Sequence, residues 1–272
     1  DRRQRYRPDG TVETERENGA LQASQVFGAN LNRFARAGAP VDYLLAEDLP
    51  RHAGDYRLYV FANAFVWDDA LLKAVEAIRA RGAAILWLHA PGYVRGLDAA
   101  AANMKALTGI DFAPAERPLV AGVTMVADGR FMGTPEAEVA PMFVPTHPDE
   151  TLGTYADGTP GLVRVRTGAS QSYFSGTWQL DVPFLQDLYR RTGVHVYCDT
   201  TDPIEANGRL FTLHARFPGR KTVTLPRAST VLDVFNRRIV ARNAKTFSFP
   251  AELHSTHLFY FGDDADDLLK EL

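Results

Sequence analysis

The residues best equipped for nucleophilic chemistry gather in "HVYCDTTD", where His195, the single cysteine Cys198 and Asp199 lie close in sequence. A thiol attacks as its thiolate, so it needs a base within hydrogen-bond reach or surroundings that lower its pKa. The run around Cys198 reads as a strand, and residues three apart in a strand point to opposite faces. His195 and Cys198 would then not meet, and Cys198 reads as structural and inert. The other natural seat for a nucleophile is a sharp strand-to-helix turn of the form Gly-x-Ser/Cys-x-Gly, since only small residues tolerate it. After "LYVFANAF" that turn holds Val66, Trp67 and Asp68; after "AAILWLHA" it holds His89-Ala90-Pro91-Gly92-Tyr93. Neither offers Ser or Cys.

Paired carboxylates for glycoside hydrolysis stand about 5 to 10 Å apart across a sugar. Asp68/Asp69, Glu47/Asp48 and Asp199/Asp202 are the sequence pairs, and helix caps or solvated loops account for each. Metal chemistry has little support: His254 and His257 show no third ligand, His147 lies between prolines, and His214 sits on one face of a strand. No glycine-rich phosphate loop occurs. No cofactor and no metal are therefore expected. Trp67, Tyr93, Tyr173, Phe174 and Trp178 fall at loops or element ends, where an aromatic either anchors a loop or stacks on a sugar or partner chain.

These residues need elements to position them. Phe27, Leu31 and Phe34 give a helical period over residues 21 to 38, closed by Gly38. Residues 41–45 read as a short buried strand, residues 46–56 as a loop, and residues 58–65 as an apolar strand. Asp68 or Asp69 caps a helix whose buried stripe is Leu71, Leu72, Val75 and Ile78, and Gly82 ends it. "AAILWLHA" is the next strand, after which Asp98 caps a short helix that ends at Gly109. Strand alternating with helix predicts a parallel sheet with helices on both faces.

From Val123 the pattern changes. Asp128-Gly129 and Asp157-Gly158 mark two hairpins, and residues 181–193 read as a helix running into the strand that carries Cys198. Beyond Asn207-Gly208, six short strands with turn punctuation predict a small antiparallel sandwich. The acidic end, residues 263–272, reads as a tail.

The 272 residues suffice for one large or two small domains. With 23% charged residues and a net charge of -3, basic and acidic groups are matched, which excludes a nucleic-acid footprint. No apolar run approaches the ~20 residues that cross a bilayer. A single cysteine rules out an intrachain disulfide and suits a reducing compartment, so a cytoplasmic location is expected. Residues 1–20 are polar without an apolar period and read as a tail or linker. The start on Asp1, and the lack of an opening strand before the first helix, lead to the expectation that the chain is part of something longer.

The stretches "RFARAGAPVDYLLAEDL", "YRLYVFANAFVWDDALLKAVEAIRARGAAILWLHAPGYV", "LTGI", "LGTYADGTPGLV" and "TGVHVYCDTTDPIEANGRLFTLHA" resemble the C-terminal half of bacterial β-galactosidase-like glycoside hydrolases of family 42 and relatives. The resemblance covers about residues 21 to 262. It implies a trimerisation domain with a flavodoxin-like, class I glutamine-amidotransferase-like fold over residues 21–204, a β-sandwich over 205–262, and a catalytic barrel elsewhere. In that family both catalytic glutamates lie on the barrel, the acid/base one after an asparagine, and this sequence has no Asn-Glu step. The resemblance also implies that the amidotransferase-like fold has lost its cysteine. No catalytic residue is therefore assigned, and the expected role is assembly and shaping of a neighbouring active site. By position, Asn63, Phe65, Trp67, Asp68, His89 and Tyr93 would form the edge facing another subunit or its substrate. Expected partners are a homo-oligomer, a trimer by resemblance, a catalytic barrel and a carbohydrate. The alternatives are a stand-alone hydrolase or amidase using His195, Cys198 or Asp199, and a carbohydrate-binding module using Trp67, Tyr93 or Trp178.

Overall fold

The computed structural model describes residues 2–6, 12–16, 28 and 30–272. Contacts divide the chain into one unit of Asp1–Asn30 with Leu45–Leu180 and another of Leu31–Leu44 with Asp181–Leu272. The second unit therefore takes in the 181–193 helix, ahead of the 204/205 boundary expected from sequence.

Within the polar start, Arg2–Tyr6 (β1) pairs antiparallel with Val12–Arg16 (β2). The Asp9-Gly10 step between them is a hairpin signal that a reading from composition alone passes over. Of the helix expected over 21–38, residues 21–27 lie outside the described residues, and the described part is Asn30–Ala35 (α1). The strand expected over 41–45 is absent: the segment pairs with no described strand, and Tyr43 and Leu45 are 60% and 65% exposed. An apolar run this short cannot distinguish a strand from a surface segment. The loop at 46–56 contains a 3-10 turn and the one-turn helix Leu49–His52 (α2).

Leu58–Phe61 (β3) leads to Asp69–Ala80 (α3), whose first free backbone donors are met by the Asp68 side chain, 2.8 Å from the Leu71 amide. Leu71, Ala74, Val75 and Ile78 are buried on one face, the 3.6-residue period expected of an amphipathic helix. In Ala84–Leu88 (β4) every residue is buried, as a strand covered on both faces requires. Val94–Arg95 (β5) and Asp98–Ala99 (β6) form a small hairpin before Ala101–Thr108 (α4). Asp98 does not cap that helix; its carboxylate accepts from Asn103 Nδ2 at 2.9 Å, and the cap position is Ala100.

Then come Phe112–Pro114 (β7), Leu119–Met125 (β8), Phe131–Val139 (β9), Phe143–Pro145 (β10), Glu150–Thr154 (β11), Pro160–Thr167 (β12) and Ser170–Ser175 (β13). A seven-stranded sheet has the order β3-β4-β13-β12-β11-β8-β9, while β7 pairs with β10 apart from it. Only β3, β4 and β13 run parallel; the others are antiparallel. The parallel strands belong to the α/β part of the sheet, as expected; beyond it the Asp128-Gly129 and Asp157-Gly158 turns, and Gly168 at φ 66°, return the chain directly and make the remaining strands antiparallel. The core under β4 is formed by Val75, Ile78, Ile85, Trp87, Val163 and Phe174.

In the second unit Asp181 caps Val182–Thr192 (α5), accepting from the Phe184 amide at 2.8 Å, and Gly193 ends it at φ 72°. The strand expected through Cys198 is absent: the Tyr197 amide donates to the Gly38 carbonyl, in a segment without a strand ladder. Ile204–Asn207 (β14), Leu210–His214 (β15), Gly219–Asp233 (β16), Arg238–Ala251 (β17) and Thr256–Phe261 (β18) form a five-stranded antiparallel sheet ordered β14-β15-β18-β16-β17. Two long strands with register shifts stand where four short ones were expected. Phe211, Leu213, Val223, Val231, Phe247 and Phe259 fill its core. The acidic end is the helix Ala265–Glu271 (α6), because Arg209 and Arg242 neutralise Asp264 and Asp266. The fold is thus α/β with flanking helices, followed by a small antiparallel β-sandwich.

Candidate functional site

The two loops after β3 and β4 are zipped together by backbone bonds. Gly92 donates to the Ala64 carbonyl, Val94 to the Phe65 carbonyl and Trp67 to the Val94 carbonyl. Gly92 sits at φ 71°, and a side-chain carbon there would press against Leu107 and Trp67, so the turn takes glycine on both counts. This zipper brings Phe65, Trp67, Asp68, His89 and Tyr93 to one end of the parallel strands, while Asn63 faces outward.

Their surroundings leave little free chemistry. Trp67 is 4% exposed and donates from Nε1 to the Gly92 carbonyl at 3.0 Å, so its expected exposure is corrected: the indole is a loop anchor. The Arg95 guanidinium lies 4.6 Å from that ring's centroid and pairs with Asp69 at 2.9 Å. Sequence reading missed Arg95, which a cation two residues past Tyr93 could have signalled. Asp68 is occupied as a cap. Tyr93 is half-buried against Phe143. His89 sits at φ 62°, unusual for a side chain of that size, at the carboxyl end of β4. The ring is buried among Phe65, Phe143 and Trp178, with centroids at 6.0, 6.5 and 5.1 Å. Burial lowers its pKa from 6.5 to about 4, against a backbone hydrogen bond with Gly176 that acts to raise it. The ring is therefore neutral at physiological pH, and its Nδ1 has no hydrogen-bond partner.

The other expected groups lie elsewhere. Cys198 is buried, its Sγ 3.0 Å from Thr200 Oγ1, and burial pushes the thiol pKa up, which disfavours the thiolate. His195 Nε2 is bonded to the Thr224 carbonyl at 2.8 Å. The two are not a catalytic pair. Tyr173, Phe174 and Trp178 are core residues, so of the aromatics weighed for stacking only Tyr93 keeps part of its surface. Among the described residues no three of His, Cys, Asp and Glu gather to hold a metal, and no helix is long and apolar enough to cross a membrane.

A second polar centre was not anticipated. Asp202, expected in a solvated loop, has a side chain 1% exposed, and its Oδ2 accepts from the 6% exposed Lys221 ammonium at 2.6 Å. Thr200 Oγ1 donates to the same oxygen, and the Arg216 amide donates to Oδ1 at 2.7 Å. Burial acts to raise the Asp202 pKa, but these donors and the Lys221 charge outweigh it and hold the carboxyl below its ordinary value.

No family model matches the chain, and no curated protein matches it in sequence. Its fold is similar to part of several solved structures. A β-galactosidase from Bacillus circulans sp. alkalophilus superposes with a TM-score of 0.59 at 16% identity, over 90% of this chain and 38% of that one. A catalytic mutant of a GH42 β-galactosidase from G. stearothermophilus gives 0.60 at 15% identity, over 92% and 38%. An α-L-fucosidase isoenzyme 2 from Paenibacillus thiaminolyticus gives 0.57 at 15% identity, over 92% and 46%. The chain thus has the fold of a portion of these proteins and spans less than half of their length.

Proposed function

We propose that this chain is a non-catalytic portion of a β-galactosidase-like glycoside hydrolase that assembles with, and shapes, a catalytic barrel located outside these residues. The observation that supports it most directly is His89. A strained turn at the carboxyl end of a parallel strand is where an α/β sheet holds reactive groups, and here it holds a neutral imidazole packed among aromatic rings. The shared fold with parts of glycoside hydrolases points the same way.

Asn63, Phe65, Asp68, Tyr93 and the outer face of Arg95 form the edge offered to a neighbouring subunit or its substrate, with Trp67 and His89 holding that edge from beneath. Self-association, as a trimer by the family resemblance, belongs to the same reading. Light scattering of the purified chain, combined with assays on nitrophenyl galactosides, fucosides and acetate, tests it. The expected result is an oligomer with no turnover. A strict monomer, or one that hydrolyses any of these substrates unaided, would overturn the proposal.

A further inference from the structure

The second unit holds three partly buried arginines, Arg33, Arg36 and Arg216. Arg36 donates from Nε to the Thr201 carbonyl at 3.1 Å, and Arg216 donates from Nη1 to the same oxygen at 3.4 Å. Two like charges therefore converge on one neutral acceptor. Arg33, one turn earlier on α1, is partly buried, and its Nη1 is shielded from solvent with no hydrogen-bond partner. The carboxylate closest to hand, Asp202, is engaged by Lys221, Thr200 and the Arg216 amide. Among the described residues, none of the three guanidinium groups has a carboxylate within ion-pair distance. Arg36 also donates to the neutral Asn32 side chain, at 3.1 Å.

Neighbouring cations with no paired carboxylate raise the local positive potential and so favour an arriving anion. The guanidinium fork also matches the oxygens of tetrahedral oxyanions. We infer that Arg33, Arg36 and Arg216 form a binding site for a small oxyanion of the phosphate type, either free or carried as a phosphoryl group on a small molecule. Three guanidinium groups without a paired carboxylate favour a dianion over a monoanion. Burial, followed by the neighbouring Arg216 and Arg33 charges, lowers the Arg36 pKa despite the opposing pull of Asp202, as expected of a cation cluster lacking its counterion. The site lies within one unit and needs no contribution from the loops after β3 and β4.

The test is thermal unfolding of the full chain at constant ionic strength in chloride, inorganic phosphate, sulfate, acetate or glucose 6-phosphate. Phosphate and sulfate at tens of millimolar should raise the transition of this unit by about 2–4 °C over chloride. Arg33→Gln should lose that gain while keeping or raising the transition temperature in chloride, since the replaced Nη1 bonds to nothing and repels Arg36. Arg33→Lys should retain part of the gain. A larger shift with glucose 6-phosphate than with phosphate identifies a carried phosphoryl group; a smaller one identifies the free ion. If acetate matches phosphate, or if no anion differs from chloride, the site is refuted. Equal anion gains in wild type and Arg33→Gln refute it as well.

Discussion

The loops after β3 and β4 and the Asp202–Lys221 centre treat polar groups in opposite ways. These loops occupy a position that sheets of this class commonly give to a ligand, yet what lies beneath them is aromatic. His89 is kept neutral there, and the charged pair Arg95–Asp69 is left at the surface. The second centre lies in a turn that no pattern singles out, and it buries a full ion pair with every Asp202 oxygen engaged. Position in a fold shows where chemistry can be hosted; occupancy by charge, packing and hydrogen bonds decides whether it is.

The contrast is broken most forcefully at Asp202. Asp202→Ala would leave the Lys221 ammonium buried without its partner, and removing one member of a buried pair costs about 3–5 kcal/mol. The pair Asp202→Leu with Lys221→Met should recover most of that loss, because the desolvation cost disappears along with the attraction. Beside the loops after β3 and β4, Asp69→Ala removes an exposed partner of Arg95 and should cost less than about 0.5 kcal/mol. Urea unfolding of the three variants checks the ranking, and a comparable loss at Asp69 and Asp202 would erase the distinction between the centres.

A smaller effect, tied to pH, belongs to His89. The folded ring titrates at about 4 and the unfolded one at about 6.5. Between those values the unfolded chain takes up a proton that the folded chain refuses. This contribution is fully present above pH 6.5 and is lost as the pH falls toward 4, with a span on the order of 3 kcal/mol. His89→Asn removes the titration and suits the left-handed backbone. The wild-type minus variant difference in unfolding free energy should narrow between pH 7 and 4.5 as the buried histidine becomes a liability. A constant difference would mean that the ring is already solvated.

What the sequence reveals divides along the same line. Local signals with a physical mechanism are legible: the Asp68 cap, the Val75/Ile78 stripe, the 181–193 helix, the Asp128-Gly129 and Asp157-Gly158 hairpins, and the missing nucleophile at both turns. Signals that need a partner are not. Residues 41–45 resemble a strand but pair with no described strand, and the run through Cys198 follows Gly38 rather than a ladder. Trp67 looks exposed because its acceptor, the Gly92 carbonyl, lies 25 residues away. Asp202 looks solvated because Lys221 is 19 residues away and on another element. The acidic end looks frayed until Arg209 and Arg242 are placed against it.

A comparison of two variants decides whether the Asp68 carboxylate has any role beyond the fold. Asp68 accepts from the Leu71 amide at 2.8 Å, so Asp68→Ala should lose about 1 kcal/mol, while Asp68→Asn, an equally good cap, should lose almost nothing. The pair of variants separates two roles that the static geometry superimposes. If the carboxylate only terminates α3, the asparagine variant behaves as wild type in thermal unfolding and in the activity of any assembly that the chain completes. If it also meets a neighbour's substrate or a basic side chain across an interface, the asparagine variant stays stable but weakens that assembly or its turnover, since an amide keeps the acceptor and loses the charge. Stability and assembly measured on the same two variants then show whether this end of the sheet is packing alone or a surface presented to a partner.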